Sequence, residues 1–171
     1  MDDKQNAQTL GKRKIVESLD REFARLHARS CQMTESTPDK ILYSVSTLTG
    51  RRSLPSVGES LLRCAAAIEQ TFGGITSNLW DDPFEWTLPE YLSTPAKVHE
   101  HLVEVETTRK RAFSSFDDDS CLLKQVATPS GETRSLIELL LETLVRAAQY
   151  QGQAVVTLKS LSGISAPGFI I

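Results

Sequence analysis

The chain lacks most of the features that would tie it to a membrane or a nucleic acid. It contains no apolar run near the roughly 20 residues that a membrane-spanning helix needs. Its 22 acidic and 19 basic residues give a net charge of −3, whereas proteins that bind phosphate backbones concentrate Lys and Arg on one face. The two short basic runs, at 12–14 and 109–111, have acids nearby. We therefore expect neither membrane insertion nor nucleic-acid binding.

Cysteine is scarce, and its spacing predicts free thiols. Cys31, Cys64 and Cys121 are far apart and form no CxxC pair. An odd number of widely spaced cysteines is typical of a reducing compartment. The first 14 residues are polar and lack the apolar segment of a signal peptide. Together these features predict a soluble, cytoplasmic protein.

Histidine is equally scarce, with only His27, His99 and His101 in the chain. His99 and His101 are two residues apart in a predicted helix, so their side chains point about 200° from each other and cannot chelate one ion. We find no Ser/His/Asp or Cys/His arrangement and no glycine-rich phosphate loop. The sequence therefore assigns no nucleophile and no histidine metal site.

What the sequence does contain is four amphipathic segments with helical periodicity. The predicted helices span about 10–29, 56–73, 94–116 and 135–162. Two of them open with capping boxes, one at Ser56 and Glu59 and the other at Ser135 and Glu138. A chain of 171 residues suits one domain. We predict a single all-α domain over 1–171, a four-helix bundle with a long connection between helices one and two.

The connections carry further candidates. The aromatic loop at 80–91 is expected either to cover a cleft as a lid or to cap the open end of the bundle. The acids Asp81 and Asp82, and the run at 117–119, are interpreted as solvated or turn residues rather than a metal site. The apolar tail at 169–171 is expected to pack on the bundle or at a subunit contact.

Two segments carry a resemblance to a known family. The second helix opens Ser-Val-Gly-Glu at 56–59, and the fourth contains Arg-Ala-Ala-Gln-Tyr-Gln-Gly-Gln at 146–153. This pattern resembles the DinB-like family of metal-binding proteins, and Gly152-Gln153 is the most specific match. The resemblance implies an up-down-down-up bundle, a homodimer, and a divalent metal such as Zn or Ni held by three histidines. It also implies a thiol-transferase or hydrolase type of activity.

The positions that match the family's metal ligands do not carry histidine here. They hold Arg63, Arg146 and Tyr150, and a shift of one residue in helix two would place Cys64 at the first of them. Arginine keeps its charge and has no lone pair to donate, and one tyrosine cannot hold a divalent ion alone. We therefore expect no metal and no other cofactor, and the substitutions argue against an enzyme.

Two interpretations of the arginines stay open. In the first, Arg63 and Arg146 converge with Tyr150 on a small anionic ligand, because guanidinium groups suit carboxylates and phosphates. The rest of that predicted pocket consists of Gln149, Gln153, Phe84 and Trp86. Alternatively, each arginine pairs with a nearby acid such as Glu59 or Glu142, or extends into solvent.

Gly152 stands in mid-helix, where glycine costs about 1 kcal/mol relative to alanine. We expect the close approach of another helix or of the long loop to explain it. The overall prediction is a DinB-like bundle without a metal centre that binds a small anionic ligand or a partner protein. The alternative is a divergent metal-dependent transferase or hydrolase with an altered ligand set.

Overall fold

The computed structural model describes residues 12–48, 52–86 and 90–162, and this part of the chain is mostly helical. Four long helices are present: α1 (Lys14–Ser36), α3 (Val57–Ser77), α5 (Pro95–Ser114) and α6 (Leu136–Ser162). Two short helices are α2 (Asp39–Leu42) and α4 (Pro83–Trp86), and a 3-10 helix spans Asp119–Leu123. None of these helices is both long and apolar enough to cross a membrane.

Two small antiparallel hairpins complete the described elements. β1 (Ser46–Leu48) pairs with β2 (Arg52–Leu54), and β3 (Gln125–Ala127) pairs with β4 (Thr133–Ser135). The sequence showed no sustained alternation, because three-residue strands are too short to produce one. Both hairpins lie in connections, so the all-α character is confirmed.

The long helices share one core. The main contacts join α3 to α6, α1 to α5, α3 to α5 and α1 to α6. At its centre lie the rings of Phe23 from α1, Phe72 from α3 and Phe113 from α5. Their ring centroids are 5.3 to 5.7 Å apart, a separation typical of stabilising aromatic pairs. Three of the four helices are therefore fixed to each other at one point.

The predicted helix starts agree with the structure. Ser56 caps α3, with its hydroxyl accepting from the Glu59 backbone N–H at 3.1 Å, and Thr94 caps α5 in the same way. At the start of α6, the Ser135 N–H and hydroxyl both donate to one Glu138 oxygen, at 2.7 and 2.6 Å. In each case the hydrogen bonds satisfy polar groups that would otherwise lack a partner at the start of a helix.

The first helix differs from its prediction in length. It runs to Ser36 instead of ending near residue 29, while the predicted first residues, 10 and 11, lie outside the described part. Ser30 and Thr34 are buried, and Gln151 donates to the Ser30 hydroxyl at 2.8 Å. These polar residues, which we predicted to lie in the connection after the helix, thus extend the buried face of α1. At the other end Val16 is buried, whereas the neighbouring Ile15 is 49% exposed.

The second long helix, predicted to end at about residue 73, continues to Ser77. A Cβ on Gly74 would lie 2.4 Å from the Trp80 ring, so the glycine makes room for that ring inside the helix. The helix stops instead at Asn78, whose φ of 55° is left-handed. Trp80 therefore folds back over the end of α3.

The acidic run at 117–119 has structural roles. Asp119 accepts hydrogen bonds from the Ile15 and Val16 backbone N–H groups, at 3.0 and 2.9 Å. It thus caps the start of α1, where the helix dipole favours a negative charge. Asp118 caps the 3-10 helix through the Ser120 N–H at 2.9 Å. The predicted tail contact at 169–171 lies outside the described residues.

Candidate functional site

A small surface cleft lies where α3, α6 and the loop around α4 meet. Its α3 wall consists of Arg63, Ala66, Ala67 and Gln70, its α6 wall of Arg146 and Tyr150, and its loop wall of Asp82 and Phe84. The α3 residues lie on one helical face because they are three and four positions apart, and the same holds for the α6 pair. The cleft volume is about 30 Å³, room for a few small atoms.

Arg63 is held at the mouth of the cleft by two neighbours. Its Nε donates to Glu59 Oε1 at 3.1 Å, and its Cζ lies 4.0 Å from the centroid of the Phe84 ring. The side chain is still 36% exposed. The pairing with Glu59 that we considered is thus present, but it uses one edge of the guanidinium. Both Nη groups lack a hydrogen-bond partner within the described chain.

Arg146 lies deeper and has no acidic partner among the described residues. Its Nη2 donates to the Ala67 carbonyl at 3.3 Å and to Gln70 Oε1 at 3.2 Å. Its Nε is buried and makes no hydrogen bond to the described chain. Glu142, which we considered as its partner, pairs with Arg134 instead. That alternative is therefore wrong for Arg146.

The loop wall is fastened to α3 through Gln70. While Gln70 Oε1 accepts from Arg146, its Nε2 donates to the Trp80 carbonyl at 2.8 Å. Asp82 Oδ1 accepts from the Phe84 N–H at 3.0 Å and starts the short helix α4. Sequence reasoning missed Gln70, although it lies seven residues, two helical turns, after Arg63. It interpreted Asp82 as a solvated residue of a turn or helix flank; Asp82 does flank α4, and it also lines the cleft.

The remaining predicted pocket residues do not line this cleft. Trp86 is 75% exposed, Gln149 is exposed, and Gln153 is half-buried outside the lining. The aromatic loop thus contributes Phe84 to the cleft wall, while Trp80 covers the end of α3. The structure brings together Arg63, Arg146, Tyr150 and Phe84.

Cys64 lies in the core and does not contribute to the cleft. It is 2% exposed, and burial raises the pKa of its thiol to about 12, although a Ser30 hydrogen bond acts in the opposite direction. The thiol is therefore protonated at neutral pH and is neither a nucleophile nor a ready metal ligand.

The histidines are spread over other parts of the molecule. His99 Nδ1 is 3.2 Å from the Thr34 hydroxyl, and His101 Nε2 is 4.0 Å from Glu69. His27 lies one turn before Cys31, with Nε2 3.5 Å from its Sγ. Within residues 12–48, 52–86 and 90–162, no group of three or more His, Cys, Asp or Glu side chains is placed to hold a metal ion.

The close approach expected at Gly152 is not found among the described residues. A Cβ built on this residue would meet no atom of the described chain within 4 Å. Within the described part of the chain, neither a neighbouring helix nor the long connection comes within 4 Å of that position. The helix continues for ten residues beyond Gly152 to Ser162. No contact within the described chain offsets the loss of helix stability that this glycine causes.

Comparison with known proteins does not add a family to this geometry. No protein-family model matches the chain, and no curated protein matches it. The site must therefore be judged on its own residues.

Proposed function

We propose that this chain is a four-helix bundle similar to the DinB-like proteins, and that it binds a small anionic ligand between Arg63 and Arg146 without a metal centre. One observation carries the proposal. Arg146 has a buried Nε without a hydrogen-bond partner and forms no ion pair with a described residue. A buried donor left unsatisfied costs about 1 to 3 kcal/mol, and the oxygen of a bound anion would satisfy it.

The charge of the cleft supports an anion rather than a cation. Two guanidinium groups line it with a single carboxylate, that of Asp82. The other nearby acid, Glu59, is on the Nε edge of Arg63. Hydrogen bonds from a charged donor to a charged acceptor are roughly twice as strong as neutral ones, and guanidinium groups match carboxylate and phosphate oxygens in shape.

The surroundings of Arg146 favour an organic anion over a bare inorganic one. A second cavity of about 200 Å³ shares Gln70 and Arg146 with the cleft and is also lined by Trp80 and Thr143. An anionic head at the two arginines would leave room for a larger body on the far side of Arg146. We therefore propose a small carboxylate or phosphate ester as the ligand.

The bundle architecture rests on the contact pattern and on the sequence resemblance. Each long helix has its main contacts with two others, as expected when four helices surround one core. The three cysteines form no disulfide, which supports a reducing, cytoplasmic location.

The residues at the family's ligand positions do not fit a divalent metal. Arg63 and Arg146 have no lone pair to donate, and Tyr150 supplies one oxygen at most. The two positive charges also oppose a cation at this place. We therefore derive no metal-assisted step, and the alternative of a metal-dependent transferase or hydrolase lacks support in this cleft.

Thermal melting tests the anion site. We expect sodium phosphate, sulfate, acetate and citrate to raise the Tm by a few degrees over sodium chloride at matched ionic strength, because a ligand that binds only the folded state stabilises it. Arg63→Ala and Arg146→Ala should abolish this shift. Arg25→Ala, which removes an exposed arginine paired with Glu22 on α1, should leave it unchanged.

Two results would contradict the proposal. If no anion raises the Tm, or if the cleft variants respond like Arg25→Ala, the cleft is not an anion site. Elemental analysis of the purified protein tests the metal-free part separately. Stoichiometric Zn, Ni, Fe or Mn that is lost in Tyr150→Phe would overturn that part.

A further inference from the structure

The second cavity, next to the anion cleft, is lined mostly by polar side chains. It shares Gln70 and Arg146 with the cleft, and its other walls come from α3, α6, Trp80 and the turn between β3 and β4. Its volume is about 200 Å³, which corresponds to roughly six or seven water molecules at about 30 Å³ each. This polar cavity is therefore large enough for a small organic group attached to an anion at Arg146.

Hydroxyl groups from the helices and from the turn line the polar cavity. Thr71 of α3 and Thr143 of α6 are buried, and their side-chain oxygens are 2.7 Å apart. Each oxygen is also within hydrogen-bond distance of a carbonyl one turn earlier in its own helix, at 3.1 and 2.7 Å. The two hydroxyl protons thus serve three contacts, and the oxygens keep lone pairs that can accept from a ligand. In the turn, the Thr128 and Ser130 side-chain oxygens, 2.8 Å apart, add further hydroxyls to the lining.

Charged groups of both signs complete the lining. Arg134 pairs with Glu142, which lies one turn before Arg146 on α6. Glu132 is exposed, and its carboxylate accepts no hydrogen bond from the described residues. The polar cavity thus holds hydrogen-bond donors and acceptors side by side.

This mixture favours hydroxyl groups over the other bodies that an anionic head could carry. A hydroxyl both donates and accepts, so it can bind either kind of lining group. An ammonium group only donates, and Arg134 and Arg146 would repel it. An alkyl chain would remove the lining groups from water without replacing their hydrogen bonds.

The free donors of the two arginines favour a phosphate as the head. Both Nη groups of Arg63 and the Nε of Arg146 have no hydrogen-bond partner among the described residues. A phosphate monoester presents three terminal oxygens to these donors, whereas a carboxylate presents two.

We infer that the ligand is a phosphorylated polyol, with its phosphate at Arg63 and Arg146 and its hydroxyls in the polar cavity that Arg146 borders. The inference rests on the proposed anion site, because the phosphate uses the same two arginines. It adds the chemical class of the body, which the anion site alone does not define.

Titration calorimetry with four phosphates tests the inference. The probes are inorganic phosphate, n-propyl phosphate, glycerol 1-phosphate and ribose 5-phosphate, at about pH 8 and matched ionic strength so that each probe carries close to two negative charges. n-Propyl phosphate and glycerol 1-phosphate have the same carbon chain length and differ only in hydroxyl groups. We expect the two polyol phosphates to bind roughly tenfold tighter than n-propyl phosphate, as about two added hydrogen bonds would give.

A double variant at the turn locates the body of the ligand. Ser130→Ala with Glu132→Ala removes a hydroxyl and a carboxylate from exposed positions in the lining, so the fold should not change. The preference for glycerol 1-phosphate over n-propyl phosphate should fall to about two- or threefold. Because this preference is a ratio of two affinities, the loss of one charge affects both and cancels. Glu104→Ala, the same change at an exposed position on α5, should leave the preference at about tenfold.

The outcomes separate this inference from the anion site itself. If all four phosphates bind with similar affinity, or if the double variant keeps the full preference, the body is not a polyol in this cavity, while the anion site stands. If no phosphate binds, or if Arg146→Ala binds all four as the unchanged protein does, the anion site is wrong and this inference is wrong with it.

Discussion

Arg109 and Arg146 lie at two different helix contacts, and they differ in what surrounds them. Arg109 lies between α1 and α5 and is only 1% exposed. Its Nε and Nη2 donate to the two oxygens of Glu106 at 2.7 Å each, and its Nη1 pairs with Asp20. The ring of Phe113 lies beneath it, with the centroid 5.3 Å from Cζ. Every side of this guanidinium is occupied by the protein itself.

Arg146, between α3 and α6, has only neutral partners. It donates to a carbonyl and to the Gln70 amide, and its Nε is left without a partner. The comparison separates two uses of the same residue. The guanidinium of Arg109 is fully satisfied by the chain and joins two helices, whereas that of Arg146 keeps a donor without a partner beside a cleft, where we propose that an anion binds. Burial alone would not distinguish them.

The largest effect is expected at the satisfied arginine. Arg109→Ala should lower the free energy of unfolding by about 3 to 5 kcal/mol, because it leaves the Glu106 carboxylate buried without its main partner. Urea denaturation measures the change. Arg25→Ala, at an exposed pair, should cost less than about 1 kcal/mol. If the two variants cost the same, Arg109 does not stabilise the seam between α1 and α5.

A double variant sharpens the interpretation. Arg109→Met combined with Glu106→Leu replaces the charges by apolar side chains, and such replacements are often close to neutral. We expect it to recover most of the stability that Arg109→Ala loses. A double variant as unstable as the single one would show that the ion pair contributes more than mutual neutralisation.

The next effect is expected on binding at the incomplete arginine. Arg146→Ala should weaken anion affinity by roughly tenfold to a hundredfold, as for the loss of hydrogen bonds to a charged group. Without anion it should lower the free energy of unfolding by no more than about 1.5 kcal/mol, because only the bonds to Ala67 and Gln70 are lost. Titration calorimetry and urea denaturation measure the two quantities. A large loss of stability with unchanged anion binding would contradict the distinction between Arg109 and Arg146.

A pH dependence distinguishes the two regions further. Burial alone would raise the pKa of Glu106, but the hydrogen bonds and charge of Arg109 outweigh it and lower that pKa. A carboxyl whose pKa is lower in the folded state contributes stability above its unfolded pKa, near 4.5, and loses it as the pH falls toward the folded value. We expect Glu106→Gln to reduce the acid-dependent loss of stability below about pH 4.5.

The control for this prediction is Glu59→Gln, at the half-exposed pair with Arg63. It should leave the acid limb of the stability profile nearly unchanged, because a solvated pair contributes little. Melting curves over a pH series measure both variants. If Glu59→Gln flattens the profile as much as Glu106→Gln, the acid sensitivity does not come from the buried pair.

The helices were predictable because local chemistry sets their ends. Ser56, Thr94 and Ser135 mark helix starts within one or two residues of the observed ones. The length of the first helix was underestimated, because the burial of Ser30 and Thr34 depends on distant partners, Gln151 and His99. No local pattern contains that information.

Part of the candidate cleft was also predictable from local sequence. Helical spacing and the family resemblance placed Arg63, Arg146 and Tyr150 together, and all three line one cleft. Gln70 and Asp82 were missed because their positions depend on how the loop returns to α3. Arg109 was missed as a buried group because it lies in a basic run that suggests a surface, and only its pairing with Glu106 makes its burial tolerable.

The smallest effect is expected from the one acid in the cleft. Asp82→Asn removes a negative charge from its wall but keeps an oxygen that can accept from the Phe84 N–H. The loop should therefore hold its shape while anion affinity rises by roughly two- to fivefold, as expected for one partly solvated charge. Asp81→Asn makes the same change at an exposed neighbour outside the lining and should have less effect. Equal responses would mean that the anion senses overall charge, whereas a response confined to Asp82 would locate it between the two arginines.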